Sequence, residues 1–226
     1  MLHDIIIGVK NIEILYEDEF SVIVNKPAGL AVQGGEGVKS SLDKLITELY
    51  KDKTTPLLVH RLDKDTSGAL LMAKGRKAAN IFSQLLGTDR KAVKIYTAVC
   101  AGRPANDKGV IKDALLIRGS MKNSETRYKV LKSDTLAAAN LEYSVLELEL
   151  GTGRMHQIRR HLAMNGNPIL GDDKYGDFPL NKKLQKSVGL KRLLLHASRI
   201  RIKDEFNIDV NAPLPEYFHP YCEPLT

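Results

Sequence analysis

The stretch LLVHRLDKDTSGALLMAK (residues 57–74) decides the fold, because two apolar runs enclose a charged segment. The runs PLLV and ALLMA are typical of buried strands, and DKDTSG has the composition of a turn. A turn alone does not explain why His60, Arg61 and Asp63 stand at the end of an apolar strand, since burying charges is costly unless they are paired. Two interpretations stay open: a plain strand–turn–strand, or a carboxylate held at a strand end as a nucleophile or general base.

A calcium-binding loop is a third interpretation of the same stretch. Asp63, Asp65, Ser67 and Gly68 match positions one, three, five and six of an EF-hand loop. Position twelve should be a bidentate glutamate, but it is Lys74, which places a cation where the metal needs its strongest ligand. The preceding TTPLLV is strand-like rather than helical, so we reject the calcium site.

The composition describes a globular protein with a modest positive charge. The chain has 226 residues and is 43% hydrophobic, which is enough for a substantial core. Its 34 basic residues exceed its 27 acidic ones, for a net charge of +7. This balance permits a polyanionic partner, because Lys and Arg contacts to phosphates release counterions, but many basic enzymes bind no nucleic acid.

The sequence favours a cytoplasmic location. Cys100 and Cys222 are far apart and give neither a disulfide framework nor a zinc spacing, which suits a reducing compartment. No run reaches the roughly 18–20 apolar residues of a membrane span. The first residues lack the basic segment, apolar segment and cleavage site of a signal peptide.

The order of predicted elements favours an α+β fold with a mixed, largely antiparallel sheet and flanking helices. Hairpins are interrupted by single helices, without regular βαβ alternation, and no linker divides the chain, so we expect one domain over residues 1–226. Residues 103–124 read as a polar connection, and 181–192 as a short basic helix or loop. Strands are predicted within 12–32, 92–102, 125–132, 143–150, 193–202 and 206–210, and helices over 40–51, 76–87 and 155–166, the last with Met155, Ile158 and Leu162 on one face.

A second charged segment, GTGRMHQIRRH (151–161), lies at a predicted strand-to-helix junction. Arg154, Arg159 and Arg160 crowd the helix N-terminus, where the dipole disfavours cations, so an anion to meet them is one interpretation. A solvated basic helix start is the other. His156 and His161 are five residues apart and do not fit the i, i+4 spacing of a zinc site, so we predict no metal.

Together these segments resemble the RluA-type pseudouridine synthases, which modify ribosomal RNA. HRLDKDTSG (60–68) is similar to the HRLD-x-x-TSG motif of that family, and KIYTAV (94–99) to its K-x-Y-x-A segment. GTGRMHQIRRHLAMNGNPILGDDKYG (151–176) resembles the TGR-x-HQIR…GD-x-x-YG region. NKPAGLAV (25–32) and LLLHA (193–197) follow further landmarks in the right order, and two segments are similar to the large-subunit rRNA enzymes of the RluC kind.

The resemblance implies a fold, a reaction and a catalytic set. Family members isomerise a uridine in RNA without cofactor or metal, by breaking the N-glycosidic bond, turning the base and forming a C–C bond. The catalytic aspartate of the family corresponds to Asp63, which attacks either the sugar C1′ or the base C6. The resemblance pairs it with Arg159, which would keep the carboxylate ionised, and places Tyr96 as the active-site tyrosine that stacks on the base.

The resemblance also implies RNA-binding residues. Arg61 is expected to act as a wedge or phosphate contact, while Arg154, His156 and Gln157 are expected to meet RNA near the pocket. The target base must be flipped from its stack to be reached. The expected partner is large-subunit rRNA, with no membrane and no metal, and the protein is expected to be a monomer.

Two departures from the family pattern bear on these expectations. Many members carry an N-terminal S4 RNA-binding domain, and no S4 domain is expected in this chain, where the match begins near Ile12. The P-x-TGE hairpin is not visible, and RIKDEFNIDV stands in its place.

Two other functions fit the sequence less well. A silent RNA-binding module would lack Asp63, and a retaining glycosidase would need a second carboxylate as its acid, for which Asp65 is a poor candidate.

Overall fold

The computed structural model describes residues 12–88, 91–203 and 206–223. Its strands, in chain order, are β1 (Glu13–Glu17), β2 (Ser21–Lys26), β3 (Leu57–Leu58), β4 (Ser67–Ala73), β5 (Ala92–Ala101), β6 (Lys108–Ile111), β7 (Leu115–Ile117), β8 (Ser120–Lys122), β9 (Thr126–Leu136), β10 (Leu141–Leu150), β11 (Leu195–Ile202) and β12 (Ile208–Asn211). Its helices are α1 (Leu42–Leu49), α2 (Arg76–Thr88), α3 (Gln157–Met164), α4 (Phe178–Val188) and α5 (His219–Cys222).

The chain divides into two compact units. Unit 1 contains the chain up to Ala92 together with Arg199–Ala212, and unit 2 contains Val93–Ser198 together with the chain from Pro213 onward. The second boundary falls inside β11, so neither unit is one continuous stretch of sequence. The expectation that the chain works as one catalytic domain stays a prediction.

Unit 1 is built on antiparallel strands. β2 pairs with β1 on one side and with β4 on the other, in the register Val24 opposite Leu70. β3 adds a short antiparallel pairing to β4, and the second half of β11 pairs with β12. All seven residues of β4 are buried, which explains why the sequence reads there as a continuous apolar run rather than an alternating one.

The core of unit 1 joins the sheet, helix α2 and the β11–β12 hairpin. Ala78, Phe82 and Leu85 recur at helical spacing and form the buried face of α2. They pack with residues from β2 and β4 and with Ile200 and Ile208 from the hairpin. The helix therefore owes its stability mainly to this packing.

Unit 2 contains an antiparallel sheet in the order β5–β10–β9–β6. On β10, Leu146 and Leu148 are buried and Glu147 is exposed, as the alternation in the sequence predicts. β7 and β8 form a separate two-stranded hairpin, turned by Arg118 and Gly119, both at positive φ. This left-handed pair is the turn that closes a tight two-residue hairpin.

The structure corrects two details of the sequence-based prediction and decides a third that was left open. Residues 103–124 are not a simple connection, because they contain β6, β7 and β8. Met155 is 57% exposed, since the helix begins after it, at Gln157, while Ile158 and Leu162 are buried as predicted. The segment 181–192 is resolved in favour of a helix: α4 is capped by Asp177, whose carboxylate accepts the Leu180 amide.

Within the described ranges, none of the helices combines the length and apolar character needed to cross a bilayer. The signal-peptide prediction rests largely on residues 1–11, which lie outside the described residues.

Candidate functional site

The charged segment between β3 and β4 is a hairpin loop of unit 1. Leu62 is buried in it, Asp63 is half-buried and Arg61 is exposed. The Thr66 amide donates to the Asp63 carbonyl at 3.2 Å, which closes the turn. The structure therefore confirms two strands joined by a turn, and in this turn a half-buried carboxylate follows an exposed arginine by two residues. The choice between a plain turn and a reacting carboxylate stays open on these observations.

The His60 side chain continues the hydrogen bonding between β3 and β4 beyond Leu58, the last residue of β3. The Leu71 amide donates to His60 Nε2 at 3.0 Å. Because Nε2 accepts this bond, the neutral ring carries its proton on Nδ1. The side chain thus fixes the start of the loop to the neighbouring strand.

Lys26 lies beneath the same loop and is fully buried. Its ammonium donates to the carbonyl oxygens of Pro27, Leu30 and Lys64, each at 2.9 Å. The Gly29 amide donates to the Lys64 carbonyl as well, also at 2.9 Å. Residues 27–30 and the aspartate loop are therefore held together by one cation, whose three donors are all used.

The charge on Lys26 also acts on the loop. Burial lowers the pKa of Lys26 to about 7, and the negative charges of Asp65 and Asp63 counteract part of that effect. Below about pH 7 the loop accordingly has a positive charge beneath its backbone.

The flanks of the loop rule out an EF-hand. Strands β3 and β4 stand where that motif requires helices. Lys74, at the position of the expected glutamate, donates to the Asp18 carbonyl at 2.6 Å and pairs with Glu17 at 2.7 Å. Within the part of the chain that the structure describes, no cluster of three or more His, Cys, Asp or Glu side chains is arranged to hold a metal ion.

In unit 2, Tyr96 lies in β5 opposite Leu148 of β10 and is 6% exposed. Lys94 precedes it by two residues, so both side chains are on the same face of the strand. Burial lowers the pKa of Lys94. A Cβ on Gly153 would lie 3.7 Å from Lys94 Nζ, which places this cation against the GTGR loop (residues 151–154).

Gln157 organises the GTGR loop from within. Its Oε1 accepts the Thr152 hydroxyl at 2.6 Å and the Arg154 amide at 3.0 Å. Its Nε2 donates to the Glu125 carbonyl at 2.9 Å and to Thr126 Oγ1 at 3.0 Å. The side chain is 2% exposed and its amide is fully engaged, so any influence on RNA would pass through the loop.

Arg159 is held rigidly within its own unit. Its Nε and Nη2 donate to the two carboxylate oxygens of Asp172 at 2.8 and 2.7 Å, and Nη2 reaches Asp173 at 3.1 Å. Arg159 is 4% exposed, and its guanidinium lies 5.3 Å from the centre of the Tyr175 ring. This two-point pairing fixes the plane of the guanidinium.

Asp172 is an ionised carboxylate in a buried position. Burial alone would raise its pKa, but the hydrogen bonds from Arg159 and from the amides of Tyr175 and Lys174 outweigh burial, and the pKa is lowered. Gly171 before it has φ +74, and a Cβ there would come within 2.0 Å of the Arg192 carbonyl oxygen. Only glycine fits at that turn.

His156 joins the same group of side chains. It adopts a left-handed backbone (φ 51) immediately before α3, and its Nδ1 lies 3.0 Å from the Tyr175 hydroxyl. The ring packs edge-to-face on Tyr175, with centroids 5.6 Å apart. A residue other than glycine in this conformation is unusual and often marks a functional position.

The structure brings the predicted residues together in two groups. Arg61 and Asp63 share the loop above Lys26 in unit 1. Arg154, His156, Gln157 and Arg159 surround the start of α3 in unit 2, and Tyr96 lies on β5 of the same unit. The expected pairing of Arg159 with Asp63 joins residues of different units and stays a prediction.

Sequence reasoning missed Lys26, Asp172 and Tyr175 as site residues. Each lies inside a quoted segment, NKPAGLAV or GDDKYG, but was given no role. A lysine at the end of the apolar strand SVIVNK was the available signal, because a lysine there has to be buried or to end the strand. The aspartate pair before KYG offered a carboxylate for a buried arginine.

Comparison with known proteins places the chain among enzymes of one kind. Residues 20–164 match the family model described as RNA pseudouridylate synthase. The chain is 37% identical over 224 residues to ribosomal large subunit pseudouridine synthase C of Rickettsia typhi, covering 91% of this chain and 69% of that protein. It is 35% identical to the protein of the same name from Vibrio vulnificus, covering 94% of this chain and 69% of the relative.

Two solved human structures are similar in fold. One is RNA pseudouridylate synthase domain containing 1, with a TM-score of 0.75 and 26% identity, covering 92% of this chain and 85% of that chain. The other is RNA pseudouridylate synthase domain containing 4, with a TM-score of 0.73 and 29% identity, covering 91% of this chain and 90% of that chain. They confirm the predicted fold class.

Proposed function

The chain belongs to the RNA pseudouridylate synthase family and is an isomerase, and on that premise we propose that it converts uridines of large-subunit ribosomal RNA to pseudouridine. In this reaction the N1–C1′ bond breaks and a C5–C1′ bond forms, while C5 loses a proton and N1 gains one. Substrate and product have the same atoms and oxidation state, so the balance needs no co-reactant. The names of the relatives support the choice of RNA.

Asp63 is the proposed reacting carboxylate. The observation that carries this assignment is the Lys26 clamp: a fully buried ammonium that holds the Lys64 carbonyl at 2.9 Å and interacts electrostatically with Asp63. The clamp fixes the backbone on the C-terminal side of Asp63 and supplies positive charge. A nucleophilic carboxylate needs a fixed position relative to the atom that it attacks.

Tyr96 and Arg159 are the proposed partners of that carboxylate. The Tyr96 ring would stack on the flipped base, and a buried ring on β5 offers a rigid surface for this contact. The guanidinium of Arg159 is oriented by two hydrogen bonds to Asp172, so its plane has a defined direction. Rigid orientation reduces the entropy lost when the transition state forms.

Arg61 and Arg154 are the proposed RNA contacts, since both are exposed and each adjoins a proposed catalytic segment. His156 would contact RNA while its ring is held in place by the hydrogen bond to the Tyr175 hydroxyl. Extrusion of the target base costs a few kcal/mol, and phosphate contacts on either side would offset that cost. Gln157 would contribute by shaping the loop that carries Arg154.

The decisive experiment compares Asp63→Asn with Asp65→Asn, which makes the same change two residues away in the same loop. Pseudouridines are mapped in large-subunit rRNA from cells that lack the protein and from cells complemented with each variant. We expect at least one missing site, restored by wild type and Asp65→Asn but not by Asp63→Asn.

With purified protein, the Asp63→Asn rate should fall by a factor on the order of 10⁴, with RNA affinity within a fewfold of wild type. Activity retained in Asp63→Asn would overturn the assignment. An unchanged pseudouridine map in the deletion strain would overturn the choice of RNA.

We further propose that the protein acts as a cytoplasmic monomer and that residues 1–226 form one catalytic domain. Light scattering of the purified chain should return a mass near 25.1 kDa, and a dimer mass would contradict the first point. Imaging of a tagged copy tests the location. Limited proteolysis should not release an active fragment if the two units act together.

A further inference from the structure

A buried chain of hydrogen bonds runs through unit 2 beyond Gln157. The hydroxyl of Thr126, which receives the Gln157 amide, lies 2.9 Å from His161 Nδ1. His161 Nε2 lies 3.1 Å from the Asp113 carbonyl and 3.0 Å from the Ser124 hydroxyl. Thr126 and His161 are completely buried, so these bonds have no competition from water.

One set of donor and acceptor roles satisfies this chain. A carbonyl oxygen only accepts, so His161 Nε2 carries the proton, and Nδ1 of the neutral ring accepts from Thr126. Thr126 in turn accepts from Gln157 Nε2, which leaves Gln157 Oε1 to accept from Thr152 and from the Arg154 amide. One orientation of Gln157 therefore satisfies the whole chain.

Gln157 and His161 are one turn apart on α3, so the chain joins the GTGR loop, the start of β9 and the helix into one assembly. The loop has glycines at 151 and 153, which restrict the backbone little. Gln157, which follows the loop, accepts hydrogen bonds from the Thr152 hydroxyl and from the Arg154 amide. The conformation of residues 151–154 thus depends on this side chain more than on local preference.

We infer that Gln157 and His161 are positioning residues for RNA binding: acting through Thr126, they hold the GTGR loop in the conformation that presents Arg154 to the RNA backbone. This inference rests on the proposed function. It assigns a role to two residues that lie too deep to touch a nucleic acid, and it changes the expected role of Gln157 from contact to support.

A double-mutant cycle tests the inference, because it isolates the coupling between two positions. Gln157→Met keeps the length of the side chain and removes all four hydrogen bonds. Affinity for in-vitro-transcribed large-subunit rRNA is measured by filter binding for wild type, Gln157→Met, Arg154→Ala and the double variant, each corrected for the folded fraction. We expect Gln157→Met to weaken binding about tenfold in the wild-type background and less than about twofold in the Arg154→Ala background.

Asn167→Ala is the matched control. Asn167 is a buried amide of the same unit that donates to the Ala101 carbonyl and is not part of the chain. Its replacement should lower the free energy of unfolding while the affinity of the folded protein for RNA stays within twofold. A general loss of stability would change the RNA affinity of both variants alike, whereas loss of positioning lowers the RNA affinity of Gln157→Met alone.

If Gln157→Met does not fold, Thr126→Val replaces it in the cycle, because valine matches threonine in shape and removes the hydroxyl that links Gln157 to His161. Equal effects of the substitution in both Arg154 backgrounds, or no effect on affinity in either, would overturn the inference. A wild-type protein without pseudouridine synthase activity would instead remove the proposed function, so the two failures are distinguishable.

Discussion

At the scale of single residues, Lys26 has an uncommon environment. Fully buried lysines are rare, because removing an ammonium from water costs more than most contacts return. Here three carbonyl oxygens replace the lost water, and two carboxylates of the loop oppose the loss of charge. A buried lysine suits a loop that needs both a fixed backbone and a positive charge.

Lys26→Met should destabilise the protein, since it leaves the carbonyls of Pro27, Leu30 and Lys64 without their donor. We expect a loss of about 2 kcal/mol in the free energy of unfolding at pH 7. The pKa of Lys26 in the folded state, near 7, lies below the pKa of a lysine in the unfolded chain. Between these two pKa values the unfolded state binds more protons than the folded state. The contribution of Lys26 to the free energy of unfolding therefore rises with pH. Urea unfolding should therefore show the gap to Lys26→Met widening from pH 7 to pH 10.

Lys77→Met is the control for this prediction, because Lys77 is an exposed lysine on α2 of the same unit. Its unfolding midpoint should stay close to wild type at both pH values. A gap between wild type and Lys26→Met that is constant or narrows with pH would show that the buried amine does not titrate as described.

At the scale of elements, α3 carries a dense set of the polar contacts that shape unit 2. Gln157 and His161 fix the GTGR loop and β9, Arg159 fixes Asp172, and Arg160 donates to the Leu116 carbonyl of β7 at 3.1 Å. A helix that is bonded to its neighbours by side chains has a unique position, whereas apolar packing alone tolerates small shifts.

The titration of His161 should be visible in stability. Burial lowers the pKa of His161, opposed by Asp113 and assisted by Arg160. The unfolded state therefore binds more protons, so the contribution of His161 is complete above about pH 6.5 and is lost as pH falls below that value. Between pH 7.5 and pH 5, the stability advantage of wild type over His161→Gln should shrink. An advantage that stays constant over this range would contradict the assignment.

Elements with a strong local pattern were predictable, and those that depend on distant partners were not. α2 was expected over 76–87 and is found at Arg76–Thr88, because its apolar residues recur at helical spacing. β6 was missed because its four residues acquire strand geometry only by pairing with β9, some eighteen positions later in the chain. Met155 was placed on the buried face of a helix that in fact begins two residues later.

The candidate site shows the same limit. Asp63, Arg159 and Tyr96 could be selected because the segments that carry them resemble a known family. Lys26 and Asp172 were missed, because their sequence signals were weak and their importance lies in burial and in hydrogen bonds to groups far along the chain. Lysine and aspartate are expected at the surface unless the fold supplies partners, and the partners are visible only in three dimensions.

At the scale of the whole molecule, the net charge of +7 predicts a salt-dependent affinity for RNA. Each phosphate contact contributes about 0.7–0.9 to the slope of log Kd against log salt concentration. Arg154→Ala should therefore reduce that slope by nearly one and weaken binding similarly across RNA sequences. Filter binding over a series of KCl concentrations measures the slope.

Arg103→Ala provides the matched control, because it removes the same charge from an exposed arginine that pairs with Asp107 at 2.7 Å. The salt slope of this variant should equal that of wild type. If both variants lower the slope equally, RNA responds to the overall charge of the protein and not to a defined contact at Arg154.

The boundary inside β11 has a consequence for the synthesis of the protein. The core of unit 1 includes Ile200, Ile202 and Ile208, which leave the ribosome long after β2, β4 and α2. The first unit in sequence must therefore wait, with an open apolar face, until almost the entire chain has been translated. Unit 2 also takes late segments, the first half of β11 and the chain from Pro213 onward, so both units complete their packing only near the end of synthesis. The apolar strands of unit 1 emerge first and would be exposed longest, so chaperones would have most to protect there.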